Sequence, residues 1–179
     1  PVGYVLDFLA IAVADVASMS ERRIDKTLDR SRNQGLPPFL AHEVGVDSGY
    51  MIAQYAAAGI VSTLKRLAVP ASVDSIPSSA MQEDHVAMGW AAGLKLRQGI
   101  DGLRRVLAIE LLTAGRALDL RAPLQPAAGT GAALAALRTA VPGPGPDAIV
   151  GAQIEAAIAL VESGAVTQAV AQAIGPLTP

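Results

Sequence analysis

The sequence predicts an all-α protein, a bundle of long helices. Three observations carry that prediction. Ala and Leu dominate a composition that is 51% hydrophobic but only 3% aromatic, which suits closely packed helices. Long apolar stretches recur at helical spacing, and no proline falls inside the longest of them. The alternation expected of a half-buried strand is nowhere sustained, and no internal repeat is visible.

The first element runs over residues 2–33. Its opening part, Pro1 to Met19, is too apolar all round for an ordinary surface helix. It is nearly long enough to span a membrane. However, Asp7 and Asp15 sit inside the run and Ser20-Glu21-Arg22-Arg23 follows at once, so it reads as a buried helix of a bundle. Gly35 supplies the stop, and Pro37-Pro38 blocks a restart. The loop from Gly35 to Asp47 carries an apolar plug, Leu36 to Leu40. Asp47 or Ser48 is placed to cap a second helix over 48–68, where Ala53, Ala56, Ala57, Ala58 and Gly59 allow close approach of neighbours.

The stretch Pro70–Gly89 begins as a loop, because Pro70, Pro77 and the serines around them break any helix. Ser78 or Ser79 is placed to cap a third helix over 82–119. Gln82, Glu83 and Asp84 would then fill its first turn, where acids meet the positive end of the dipole. At ~1.5 Å per residue that helix would be ~55 Å long, a length typical of bundles shared between subunits. Gly93, Gly99, Gly102 and Gly115 would weaken it in isolation, so packing must compensate.

The tail differs in character. Arg121–Thr130 is a linker, 131–139 a short helix, and Val141–Pro146 an irregular turn. Asp147 is expected to cap a helix reaching Glu162, and a last short helix spans 166–173. The predicted division is a long-helix bundle over 1–120, containing the Pro70–Gly89 loop, and a small-helix region over 121–179.

Composition narrows the function. A lone chain of 179 residues would struggle to hide so much apolar surface, which points to burial against other chains or a further segment. A net charge of −2 argues against nucleic acid as a partner. There is no Cys, and His42 and His85 are too few and too far apart for a convincing metal site. No basic leader precedes the first apolar run. Phosphate loops, nucleophile elbows and dinucleotide fingerprints are missing.

The one concentrated chemical signal is Gln82-Glu83-Asp84-His85. Consecutive polar residues on a helix cannot all face one way, so at most two share a site. His85, before an apolar helical face, reads as a hydrogen-bonded structural histidine. Asp84 reads as cap and dipole chemistry. Glu83 is the residue assigned to function, as catalytic and substrate-binding, with Gln82 beside it as substrate-binding.

Eight strings carry a resemblance along nearly the whole chain. They are Pro1-Val2, Ser20–Arg23, Leu36–Leu40, Ser48–Gln54, Pro70–Pro77, Gln82–Val86, Arg105–Glu110 and Leu118–Arg121. Together they resemble, in order, the histidine ammonia-lyases of the aromatic amino acid lyase family. The resemblance implies the C-terminal part of a fumarase/aspartase-like helical fold. It implies a cytoplasmic homotetramer, with no membrane role, that removes ammonia from L-histidine to give urocanate. It also implies a methylidene-imidazolone electrophile made autocatalytically from an internal Ala-Ser-Gly. That triplet does not occur here; the nearest strings are Asp47-Ser48-Gly49 and Glu162-Ser163-Gly164. The chain therefore looks like a C-terminal portion that needs its N-terminal portion, and alone it is expected to be inactive.

The family's substrate-binding glutamate matches Glu83. A carboxylate in a partly buried pocket can accept a hydrogen bond from an imidazole N–H, and it would be poorly matched to a phenyl ring. Met81 departs from the family, where Asn is common, and Tyr50 stands where Phe is common. Two other readings stay open: a non-catalytic helical assembly fragment, and a sister ammonia-lyase or aminomutase acting on another aromatic amino acid. Glu83 argues against the second.

Overall fold

The computed structural model describes residues 1–177. It is all-helical, as the sequence predicts: α1 (Val2–Leu28), α2 (Met51–Leu67), α3 (Gly89–Asp119), α4 (Ala128–Arg138), α5 (Val150–Glu162) and α6 (Ala165–Ile174), with one 3-10 turn at Pro38–Leu40. The shorter helices lie within one to three residues of their predicted bounds, the usual uncertainty at helix ends.

Two long helices are shorter than the sequence suggests, and local chemistry explains both. α1 stops at Leu28 instead of 33. There the Asp29 carboxylate takes the backbone N–H of Ser31 at 2.9 Å and its hydroxyl at 2.8 Å. A short polar side chain has replaced the helical pattern with a local turn. Gln34 and Gly35 then turn left-handed and end the segment. α3 starts at Gly89 instead of 82, because the residues before it are bonded as a loop. Its 31 residues make it ~46 Å long at ~1.5 Å per residue.

By packing, the chain falls into two units. The first comprises Pro1–Met19 and Gly59–Leu103. Its core is Ala10, Val13 and Leu96, with Leu6, Ile100 and Leu103 packed on it. Here the third helix has a glycine where its neighbour comes close: a Cβ on Gly102 would stand 2.8 Å from Leu64 Cδ2. The helix propensity lost at Gly102 is exchanged for contact between α2 and α3.

The second unit comprises Ser20–Ala58 and the chain from Arg104 onward. Ile24, Leu40, Val106, Ile109, Leu112 and Leu137 are buried in it. A Cβ on Gly115 would stand 2.5 Å from Leu137 Cδ2, so α3 and α4 also meet at a glycine. The Leu36–Leu40 plug is half realised: Leu36 and Leu40 are buried and Phe39 is 42% exposed.

Expected caps are also redistributed. Asp47 accepts the backbone N–H groups of Glu43 and Asp147 instead of capping α2. Asp147 accepts those of Ser48 and Gly49, at 2.6 and 2.9 Å, instead of capping α5. The two aspartates thus fasten the segment before α5 to the segment before α2.

The first helix is not fully buried as the sequence suggests. Ala10, Val13, Ala14 and Ala17 are buried, but Val2, Tyr4, Val5, Phe8 and Ile11 are exposed. By length and composition alone α1 could cross a membrane. Asp7 and Glu21, however, are 2% and 4% exposed and hydrogen-bonded to other protein groups.

Candidate active site

The Pro70–Gly89 loop is built on a buried ion. Asp7, in α1, is 2% exposed. A carboxylate there needs partners, since an unpaired charge in an apolar setting is very costly. Ser72 donates its backbone N–H to Asp7 at 2.8 Å, and Lys95 Nζ stands 3.5 Å from the other oxygen. Burial alone would push the Asp7 carboxyl up. Hydrogen bonds from the Ser72 hydroxyl and the N–H groups of Ser72 and Ala71, with Lys95 beside them, bring it down to about 2. Lys95 also donates to the Val69 carbonyl. The base of the loop is therefore fastened by one residue of α1 and one of α3.

Above the base the two limbs are tied to each other. The Val86 N–H donates to Ser75 Oγ at 2.9 Å. Ser78 and Glu83 exchange both backbone hydrogen bonds, at 3.0 and 3.2 Å. Between them Ser79, Ala80 and Met81 have φ of 54, 53 and 70°. Three successive non-glycine residues in the left-handed region are uncommon, and each carries a backbone cost. At the far end, a Cβ on Gly3 would lie 3.3 Å from Gly89 Cα, so the starts of α1 and α3 nearly touch.

Glu83 therefore sits in this closed loop, not in the first turn of a helix. The helix-start reading of Ser78 and Ser79 as caps and of Asp84 as dipole chemistry does not hold, because those residues precede α3 by several positions. Gln82, Glu83, Asp84 and His85 are all exposed. Among the described residues the Glu83 carboxylate has no hydrogen-bond or ion-pair partner, and His85 lacks the hydrogen bond expected of a structural histidine. Glu83 and Gln82 stand side by side on the loop, with exposed Met81 before them.

The second unit carries polar groups that sequence reasoning did not assign to a site. Arg116 is 5% exposed, donates to the carbonyls of Leu40 and Gly145 at 2.7 and 2.8 Å, and lies over the Tyr50 ring. The Tyr50 hydroxyl donates to Gln153 at 2.9 Å, and burial raises its phenol pKa. Glu110 accepts from Ser20 at 2.5 Å and from Arg23. Two cavities of about 350 and 510 Å³ lie in this unit and take in none of residues 70–89. Among the described residues no three His, Asp or Glu side chains gather as a metal set.

In the first unit the missed residues are Asp7 and Lys95. A charge inside an otherwise apolar run was the available signal for Asp7. Nothing in the local sequence points to Lys95, which is 88 residues away.

Comparison with known proteins bears on the family and the fold. A family profile described as aromatic amino acid lyase matches residues 1–139. A histidine ammonia-lyase from Streptomyces avermitilis is 58% identical over 178 residues, covering 99% of this chain and 35% of that protein. The crystal structure of histidine ammonia-lyase from Trypanosoma cruzi superposes with a TM-score of 0.92 at 37% identity, over 96% of this chain and 34% of that one. The structure of a tyrosine aminomutase from Streptomyces globisporus superposes with a TM-score of 0.91 at 30% identity, over 96% of this chain and 33% of that one. The chain thus spans about a third of the length of the curated relatives it matches.

Proposed function

The chain belongs to the aromatic amino acid lyase family, and we propose that it is the C-terminal part of a histidine ammonia-lyase. The complete protein then eliminates ammonia from L-histidine without oxidation. The Cα–N and one Cβ–H bond break, the Cα=Cβ bond of urocanate forms, and ammonia and a proton leave. The observation that carries this reading is Glu83: an exposed carboxylate without a partner among the described residues, on a loop held by buried contacts at its base.

None of the 179 residues spells Ala-Ser-Gly, so this chain does not build the methylidene-imidazolone of its family. Glu83 accepts a hydrogen bond from the imidazole N–H of the substrate, and the charged acceptor makes that bond stronger than a neutral one. Gln82, adjacent and exposed, is the second substrate-binding residue. The rest of the protein closes the site over this loop.

Tyrosine aminomutase shares the fold, so an aromatic amino acid without a ring N–H is the competing substrate. A phenyl ring would leave the Glu83 carboxylate desolvated and unpaired, which is costlier for a charged acceptor than for a neutral one. The exposed apolar side of α1 supports assembly with further protein; the homotetramer and the cytoplasmic location are what the resemblance implies. The test is direct. The complete enzyme should convert histidine to urocanate, read by its ultraviolet absorbance, and leave phenylalanine and tyrosine unchanged. Turnover of either of those in preference to histidine would overturn the substrate assignment.

A further inference from the structure

We propose that Asp7 and Lys95 are positioning residues for Glu83, fixing the base of the Pro70–Gly89 loop and thereby the place at which its carboxylate is presented. The inference rests on the reading of Glu83 given above and extends it.

Among the described residues, the hydrogen bonds of both side chains go to groups outside their own helices. The neighbours of Asp7 on the buried side of α1 are Ala10, Ala14 and Ala17, where small apolar residues suffice. An aspartate among them is costly unless its oxygens are engaged. One oxygen takes the Ser72 N–H at 2.8 Å and the other faces Lys95 Nζ at 3.5 Å. Lys95 in turn donates to the Val69 carbonyl. The pair thus grips both sides of Pro70, at the point where the chain leaves α2 for the loop.

From that grip, Glu83 is reached through few free joints. Pro70 and Pro77 have restricted φ. Ser75 Oγ holds Val86, and Ser78 holds Glu83 through two backbone bonds. The descending limb ends at Gly89, which packs against Gly3 four residues before Asp7. The ties named here between the loop and the helices beneath it come from Asp7 and Gly3 of α1 and from Gly89 and Lys95 of α3. Loss of the ionic grip frees the ascending limb, while the helices keep their apolar core of Ala10, Val13 and Leu96.

Misplacement of a reacting or binding group by ~1 Å can cost ~10²-fold in rate. In the complete enzyme, Asp7→Asn and Lys95→Met should each lower kcat for histidine by ~10–10²-fold and leave KM within ~3-fold, since binding of the rest of the substrate is untouched. Amide exchange at Ser72, Ser78 and Glu83 should quicken in both variants, and Lys95→Arg should restore the wild-type values. In a Glu83→Gln background the same substitutions should cause little further loss, because they act through Glu83. Losses that multiply in that background would overturn the proposal. So would wild-type kcat and exchange in Asp7→Asn and Lys95→Met beside a Glu83→Gln enzyme that has lost turnover, an outcome that leaves the reading of Glu83 standing. Wild-type turnover in Glu83→Gln would overturn that reading and this proposal together. Lys95→Met, at a partly exposed side chain, serves where Asp7→Asn fails to fold.

Discussion

Ser78 donates its backbone N–H to the Glu83 carbonyl at 3.0 Å, and Glu83 returns the bond at 3.2 Å. This reciprocal pair closes a loop in which Ser79, Ala80 and Met81 are left-handed. It places a carboxylate by backbone bonds and leaves the side chain itself uncommitted. A side chain so placed is available to a ligand without first breaking an ion pair.

The strain inside that loop is testable. Met81, at φ 70° and 67% exposed, packs little and pays the left-handed penalty in full. Asn tolerates that conformation well. Met81→Asn should stabilise the loop by about 1 kcal/mol, seen as a small rise in Tm and slower exchange at the Ser78 and Glu83 amides. A faster exchange would show that Met81 is not strained.

A glycine at another turn should be far less forgiving. Gly49 has φ 57°, and a Cβ there would stand 2.4 Å from the Phe39 carbonyl oxygen. That oxygen already accepts the Tyr50 N–H at 2.9 Å, so the backbone cannot easily yield. Gly49→Ala should cost roughly 1–3 kcal/mol by overpacking, added to the left-handed penalty. Gly35→Ala, at φ 88° with open space around the site, should cost the conformational term alone. Denaturant midpoints of the two variants give the comparison, and equal losses would contradict it.

Asp7 should make stability depend on acid. Its folded pKa, about 2, lies below the ordinary value of about 3.9. The unfolded chain therefore takes up the proton first, so the contribution is full above the unfolded value and is lost as pH falls through the folded one. The window runs from about pH 5 to about pH 2, and the loss is on the order of 2 kcal/mol. Asp7→Asn should be less stable at pH 7 and should lack this part of the acid dependence. Parallel stability curves for the two proteins across that window would contradict the assignment.

The exposed side of α1 should be an assembly face. Val2, Tyr4, Val5, Phe8 and Ile11 are all exposed, Val5 and Phe8 at 62% and 68%, a cluster of large apolar side chains of the kind that marks an interaction site. Val5→Lys and Phe8→Glu should each shift the complete protein toward smaller species in sedimentation at micromolar concentration. A wild-type protein that sediments as a stable monomer would remove the basis for the face.

Much of the fold was legible because long helices advertise themselves. The apolar spacing from Leu94 to Leu118 and the stops at Gly35 and Pro70 place α1, α2 and α3 in order. The start of α3 was misread for a physical reason. Ser78 and Ser79 ahead of acidic residues look like a cap, but the same backbone can pair Ser78 with Glu83, and sequence does not say which bond wins. Asp147 misled in the same way, since its partners at Ser48 and Gly49 lie 99 and 98 residues off. In the Pro70–Gly89 stretch, the first part of the loop could be read from its prolines and serines, while the assignment of Glu83 comes from the resemblance and remains a proposal. The Asp7–Lys95 grip beneath them could not be read, because only the fold brings residues 88 apart into contact.

Turnover of histidine by the complete enzyme carrying Glu83→Gln and Glu83→Ala tests the central assignment most directly. The first change keeps the shape and removes the charge, and the second removes both. With Glu83 accepting the imidazole N–H in the transition state, both should lower kcat by ~10²-fold or more, with the fold and Tm nearly unchanged because the loop is closed by backbone bonds. Wild-type turnover in Glu83→Ala, read as the rise of urocanate absorbance, would contradict it.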